Sequence, residues 1–318
     1  MSSENDKVVV GKYGPFSMIS MGLPGDHAGK TAVRIFMVQG SKKTALIDSG
    51  LYAGYPDLEK GFVELGMEKS DLDYILCTHE HMDHVGNNAQ LVEEAACEVL
   101  AHEGRADRIA DNLLNAKTIV HAFPDIEPLF PLEEEYLDWM GPNSAPVHNF
   151  LKEGDIVNLG DIKLEVVELM GHSMGEVGFF HEESKILVFA DPLLPDYNPV
   201  LYLYEDSAEM HNTFKKIEDF IRERGVETVL SSHDHPCSGT DGIAWAQDCD
   251  RRVTEIEAAT LEVIKNNPGI DMGELRNQVC DRFEKVREWR ALVSMNAILN
   301  MYEAQGLVRK EGDGWAHV

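Results

Sequence analysis

The chain has 318 residues, long for one compact domain, and is expected to divide into about two. A formal charge of −28 with an isoelectric point near 4.7 repels phosphate backbones and anionic lipid surfaces, so neither nucleic acid nor a membrane is an expected partner. No apolar run approaches the roughly 18 residues of a membrane-spanning helix, and the opening MSSENDKVVVGK has neither a basic start nor an apolar signal core, which reads as a cytoplasmic protein. The five cysteines, Cys77, Cys97, Cys237, Cys249 and Cys280, are odd in number and lack any C-x-x-C pair, so reduced thiols are expected rather than a disulfide framework or a zinc ribbon.

From residue 15 to 50, the runs FSMISMG, TAVRIFMVQ and KTALIDSG are rich in β-branched and apolar residues, and the turns between them predict a β-meander. A helix is expected over 55–67 (YPDLEKGFVELGM), then a buried strand over 73–78 (DYILCT). Further strands are expected at 97–102, within 155–170, and at 176–181, 185–191 and 227–233, with helices at 85–95 and 207–224. Short strands alternating with helices imply α/β sheets covered by helices on their outer faces. Between 104 and 150 the pattern breaks into amphipathic helical spacing that carries Phe123, Phe130, Tyr136 and Trp139, an inserted helical cap. Residues 241–318 are helical almost throughout, with a Pro-Gly stop after WAQDCDRRVTEIEAATLEVIKNN, two more helices and a short hairpin at KEGDG. This divides the chain at 1–240 and 241–318, the second part patterned as a winged-helix module.

The stretch CTHEHMDHVGN places three of the chain's 13 histidines, His79, His81 and His84, together with Asp83, directly after the apolar run YILC. Imidazole and carboxylate suit zinc, iron and related ions, and a strand end supplies the rigid backbone that coordination distances of about 2.0–2.2 Å require. His79 and His81 can turn to one side while Asp83 and His84 follow on the next turn, so one loop can serve two adjacent metals.

H-x-H-x-D-H after a buried strand resembles the metallo-β-lactamase superfamily, and ALIDSG (Asp48), ELMGHSMGEVGFF (His172), LVFADPLL (Asp191) and LSSHDHP (His233) follow that family's order over nearly the whole chain. The resemblance implies a four-layer αββα sandwich with the helical insertion and the C-terminal winged-helix-like domain added to it. It implies that His79, His81 and His172 hold one divalent cation and Asp83, His84 and His233 a second, with Asp191 between them. Zinc is the expected ion, with manganese or iron(II) as alternatives. This chain has Ala190 where the family usually has Gly, and Ser232-His233-Asp234 in place of G-H-G, which leaves His235 as a competing ligand.

The same resemblance implies hydrolysis by a hydroxide shared between the cations, with Asp83 and Asp191 as the catalytic carboxylates. No serine nucleophile is needed, and Ser173 in GHSMG lacks the spacing of a nucleophile elbow. His81 resembles the hydrolases glyoxalase II and the lactonases; the family's oxygen-reducing di-iron flavoproteins carry Glu there. The C-terminal helices resemble a domain found in a branch that includes thioesterase-like enzymes and an endoribonuclease. Residues 241–318 hold 14 acids and 10 bases, a net of −4, which is not the footprint of a nucleic-acid reader.

The expected substrate is therefore a small, partly apolar ester, thioester or lactone. Phosphodiester cleavage and non-enzymatic metal binding are the alternatives. Phe123, Trp139 and Tyr197 are the expected substrate contacts, although the cap's aromatics could instead bury a homodimer interface. Of Tyr197, Tyr202 and Tyr204, one hydroxyl could meet a developing oxyanion, with packing the plainer role for each.

Overall fold

The computed structural model describes residues 8–22, 31–120, 123, 125–126, 129–196 and 199–318. Its first sheet runs β1 (Val9–Tyr13), β2 (Phe16–Gly22), β3 (Thr31–Gln39) and β4 (Thr44–Ile47), joined antiparallel in sequence order. After α1 (Tyr55–Glu64) come β5 (Tyr74–Leu76), α2 (Met82–Val85), α3 (Asn88–Ala95) and β6 (Glu98–His102). The segment read as a cap supplies α4 (Ala106–Ile109), α5 (Asn112–Val120) and α6 (Leu129–Met140), and β7 (Asn149–Leu151) completes the sheet. Strands β4 to β7 pair parallel, so each connection must cross over the sheet, and each carries its helices on the way.

The second sheet, in the order β13-β12-β11-β10-β9-β8, contains β8 (Ile156–Asn158), β9 (Lys163–Glu168), β10 (Val177–His181), β11 (Ile186–Phe189), β12 (Thr228–Ser231) and β13 (Cys237–Ser238). Only β11 and β12 pair parallel, and α7 (Ser207–Arg224) makes that crossover. The C-terminal part consists of α8 (Gly239–Asn266), β14 (Ile270–Asp271), α9 (Met272–Arg282), α10 (Trp289–Ala304), β15 (Val308–Glu311) and β16 (Gly314–His317), with strand order β14-β16-β15.

Strand periodicity builds the layers. Phe36 and Val38 of β3 join Leu164, Val166, Phe179 and Val188 in the core between the two sheets, while the alternate residues Ile35 and Met37 pack outward with Leu58 and Phe62 of α1. On the second sheet Phe179 faces inward and Phe180 outward, against Phe214 and Ile217 of α7. The order is helix, sheet, sheet, helix. Ile256, Leu275, Met295 and Ile298 from α8, α9 and α10 continue the outer core begun by Phe180 and Phe189, so the C-terminal helices share a core with the second sheet.

The expected strands and helices are present, and four weak strands join them. β1 is a half-exposed edge, β7 has two exposed residues of three, and β13 and β14 are only two residues long, so none carries enough buried alternation to be read locally. All five cysteines are free thiols.

Candidate metal centre

The expected ligands lie beyond the C-terminal ends of four strands: His79 and His81 after β5, with Asp83 and His84 in α2, His172 after β9, Asp191 after β11 and His233 after β12. Ligand atoms of His79, His81, His172 and Asp191 lie within 4.8 Å of one another, as do those of Asp83, His84 and His233. His81 Nδ1 is 3.0 Å from His79 Nε2 and 2.9 Å from His172 Nε2. Asp191 touches both groups: its Oδ2 is 3.4 Å from His172 Nε2, and its Oδ1 is 3.3 Å from His84 Nε2 and 3.1 Å from His233 Nε2. Asp83 Oδ2 lies 3.3 Å from His233 Nε2. His235 is exposed, so His233 is the member of that pair in the cluster.

Outer hydrogen bonds orient the rings. His172 Nδ1 donates to the Leu203 carbonyl at 2.8 Å and His84 Nδ1 to Asp48 Oδ2 at 2.9 Å. The Thr78 hydroxyl donates to Asp48 Oδ2 at 2.8 Å, which leaves its oxygen to accept from His79 Nδ1 at 3.0 Å. His79 and His172 then turn the lone pair of Nε2 inward, and His84 turns its Nε2 toward Asp191. Asp48 has a φ of 59°, a left-handed conformation that Asp tolerates better than most residues. Gly171 precedes His172 at a φ of 128°, where a Cβ would come within 2.7 Å of the Met210 nitrogen.

Burial lowers His79 far below the usual imidazole range, lowers His81, and brings His172 down to about 4, so these rings are neutral. Burial works in the same direction on His84 and His233, but Asp83 and Asp191 outweigh it and raise both well above that range. Burial opposes ionisation of Asp83, yet His84 and His233 hold its carboxyl below its ordinary range. Neutral inward nitrogens facing carboxylate oxygens fit divalent cations, which would take the place of the protons on His84 and His233.

A support around this cluster was not legible in the sequence. Glu80, between the first two histidines, is fully buried, and its Oε1 lies 3.0 Å from Arg105 Nε and 3.3 Å from Arg108 Nη1. Ser173 Oγ donates to Glu80 Oε2 at 2.5 Å, and Glu205 pairs with both arginines, at 2.8 Å from Arg108. Asn115 donates to the Glu80 carbonyl at 2.7 Å and accepts from Tyr136 at 3.1 Å. Residues of the inserted segment thus brace the ligand loop. Arg105 and Arg108 lie 25 and 28 positions beyond Glu80, and no local spacing announces the contact.

Residues 28–235 match the sequence profile of the metallo-beta-lactamase superfamily. The chain belongs to that superfamily. Acyl-coenzyme A thioesterase MBLAC2 of Bos taurus is 25% identical over 213 residues, 63% of this chain and 72% of that protein. Hydroxyacylglutathione hydrolase GloC of Haemophilus influenzae is 28% identical over 152 residues, 48% of this chain and 62% of that protein. A metallo-beta-lactamase family protein from Thermus thermophilus shares the fold with a TM-score of 0.75 at 20% identity, covering 96% of this chain and 99% of that one. The two named enzymes are hydrolases, in agreement with the hydrolase reading of the sequence.

The ligand clusters open onto a cavity of about 570 Å3, lined near them by Met82, Tyr136, Trp139 and Leu201. Trp139, one of the expected substrate contacts, thus lines the same cavity as the ligand clusters. Phe123 lines a second cavity of about 230 Å3 that shares His81 and Leu203 with the first, and Tyr197 lies outside the described residues. The Tyr202 hydroxyl accepts from the Leu194 N–H and donates to the Pro192 carbonyl, both at 3.1 Å, which assigns it to packing. No helix among the described residues is long and apolar enough to cross a membrane.

Proposed function

We propose that this protein hydrolyses thioesters of small, partly apolar acyl groups with two divalent cations. His79, His81 and His172 would hold one, Asp83, His84 and His233 the other, and Asp191 both. Asp191 carries the reading: its two oxygens face the two ligand groups at the wall of an open cavity. When bound, the cations supply an activated water nucleophile and polarise the thioester carbonyl.

The chain's own residues position and protonate. Asp191 sets the spacing of the two ligand groups. Asp83, on the cavity wall, takes one proton of the attacking water and returns it to the departing thiolate as the C–S bond breaks, so that a thiol and a carboxylic acid leave and the acid gives up its remaining proton to solvent. Trp139 and Met82 exclude bulk water from the reacting carbonyl. The names of the thioesterase and hydroxyacylglutathione hydrolase relatives support a thioester over a lactone or a phosphodiester. The imidazole-rich ligand set suits zinc. Burial of Tyr136 and the cavity-facing Trp139 support a small-molecule partner over use of these aromatics at a homodimer interface.

The test is metal content together with turnover of a hexanoyl thioester, a lactone and a phosphodiester. Expected are two metal ions per chain, and thioester turnover that chelation abolishes and metal restores. Well under one metal per chain after metal-supplemented expression, or turnover of the phosphodiester alone, overturns the proposal.

A further inference from the structure

We propose that Ser294 of α10 is a positioning residue for the ligand His172, acting through the peptide group that joins Leu203 to Tyr204. This rests on the two-cation reading above, in which His172 holds one of the ions. Ser294 shares the buried face of α10 with Ala291, Met295 and Ile298 and is itself sealed from solvent. A hydroxyl there needs partners. It finds them on the strap 201–206, which leads into α7: Ser294 Oγ donates to the Tyr202 carbonyl at 2.6 Å and accepts from the Tyr204 N–H at 3.4 Å. The Arg290 carbonyl, one turn back on its own helix, lies farther from the hydroxyl than the Tyr202 carbonyl, at 3.4 Å.

The Tyr204 N–H and the Leu203 C=O lie on opposite sides of one planar peptide group. That carbonyl accepts from His172 Nδ1 at 2.8 Å. Hydrogen bonds therefore run without a break from the His172 ring, through one peptide group, to Ser294 and on to the Tyr202 carbonyl. Bonds in such a series polarise one another, so an acceptor on the Tyr204 N–H makes the Leu203 oxygen a better partner for Nδ1 and holds Nε2 toward the ligand cluster. Tyr204 is fully buried, so no water replaces Ser294 at its N–H. On its other side the strap is tied to the His172 loop, the Glu205 and Asp206 N–H groups donating to the Gly171 carbonyl at 2.8 and 3.1 Å. A helix of the C-terminal part, reaching the strap from 90 positions beyond Tyr204, thereby orients a ligand held by the sheets.

The test uses the full-length chain with isotopically labelled histidine. Ser294→Val and Ser294→Thr add the same bulk and differ in the hydroxyl, Ser294→Ala removes the hydroxyl without adding bulk, and Ile298→Val loosens the same helix while keeping Ser294. Zinc affinity is read by chelator competition, and the His172 Nδ1–H by its proton resonance, assigned from its disappearance in His172→Gln. Ser294→Ala and Ser294→Val are expected to weaken one of the two zinc ions by about three- to tenfold and to leave the other unchanged, a smaller loss than removal of a direct partner of the ring. In both, the Nδ1–H resonance should move upfield and exchange faster with solvent, whereas Ser294→Thr should stay near wild type. Ile298→Val should lower Tm without either change. If the wild type binds no zinc but the resonance still moves in Ser294→Ala and Ser294→Val, the two-cation reading fails and the relay stands. An unmoved resonance with unchanged zinc affinity in those two variants, or the same changes in Ser294→Thr and Ile298→Val, overturns the relay.

Discussion

Arg105 Nε lies 3.0 Å from Oε1 of Glu80, a carboxylate sealed from solvent between two ligand histidines. With Arg108 and Glu205 it forms a four-charge box of zero net charge that joins the ligand loop, the inserted helices and the segment leading to α7. Glu80→Gln keeps the shape and leaves one guanidinium charge uncompensated. Loss of one partner from a buried pair costs about 3 kcal/mol. Metal affinity, read by chelator competition, should fall by about ten- to a hundredfold, the range expected for groups that orient ligands. Unchanged melting and metal affinity would show that the box has no part in positioning the site.

Asp83→Ala and His84→Ala should each remove most of the hydrolysis while leaving far-UV circular dichroism intact, because stability comes from the sheet and helix cores. A loss of several kcal/mol of transition-state stabilisation corresponds to more than a hundredfold in kcat. Asp48→Asn should behave differently. It keeps a residue that tolerates the left-handed backbone but weakens the bond to His84 Nδ1, so metal affinity should fall about tenfold or more while melting is little changed. Full metal affinity in the Asn variant would remove Asp48 from the role assigned to it.

Trp139→Ala should discriminate among acyl groups. Trp139 lines the cavity beside the ligand clusters, and loss of its contact should weaken an apolar acyl group by about 1–3 kcal/mol, roughly ten- to a hundredfold in kcat/KM, with less effect on an acetyl group. Sizing chromatography separates this outcome from an interface role: a change of oligomeric state with an unchanged acyl profile would place Trp139 at a subunit contact.

His211, on α7, donates to Asp250 at 2.5 Å and to Glu257 at 3.0 Å, and these bonds raise its pKa to about 9 against partial burial. A raised folded-state pKa means that the stabilisation is fully present below the unfolded value of about 6.5 and is lost as pH climbs through 9. The ring is partly exposed and screened, so the contribution is on the order of 1 kcal/mol, about 2 °C in Tm. The Tm difference between wild type and His211→Gln should be largest near pH 6 and shrink by pH 10. A difference that does not vary with pH would assign His211 to packing.

His79, His81, Asp83 and His84 and the order of the elements were legible in the sequence because both are local signals, whereas His172, Asp191 and His233 came only with the family resemblance. H-x-H-x-D-H needs only one strand end, and strand and helix periodicities repeat within a few residues. The edge strands β1 and β7 were not, since half-exposed residues carry little of that signal. Choosing His233 over His235 required tertiary structure: both imidazoles are available in LSSHDHP, and the path of the chain after β12 turns only one of them toward Asp191. The bracing of Glu80 by Arg105, Arg108 and Glu205 likewise depends on packing between segments as far as 125 residues apart, and a buried ion pair imposes no fixed spacing along the chain. The lining of the large cavity was also hidden in composition: only folding gathers Arg251, Arg252, Lys285 and Arg290 on one cavity, each beside an acidic partner. Ligand identity follows from residue type and local backbone, whereas the electrostatic character of a pocket depends on which distant side chains the fold turns toward it.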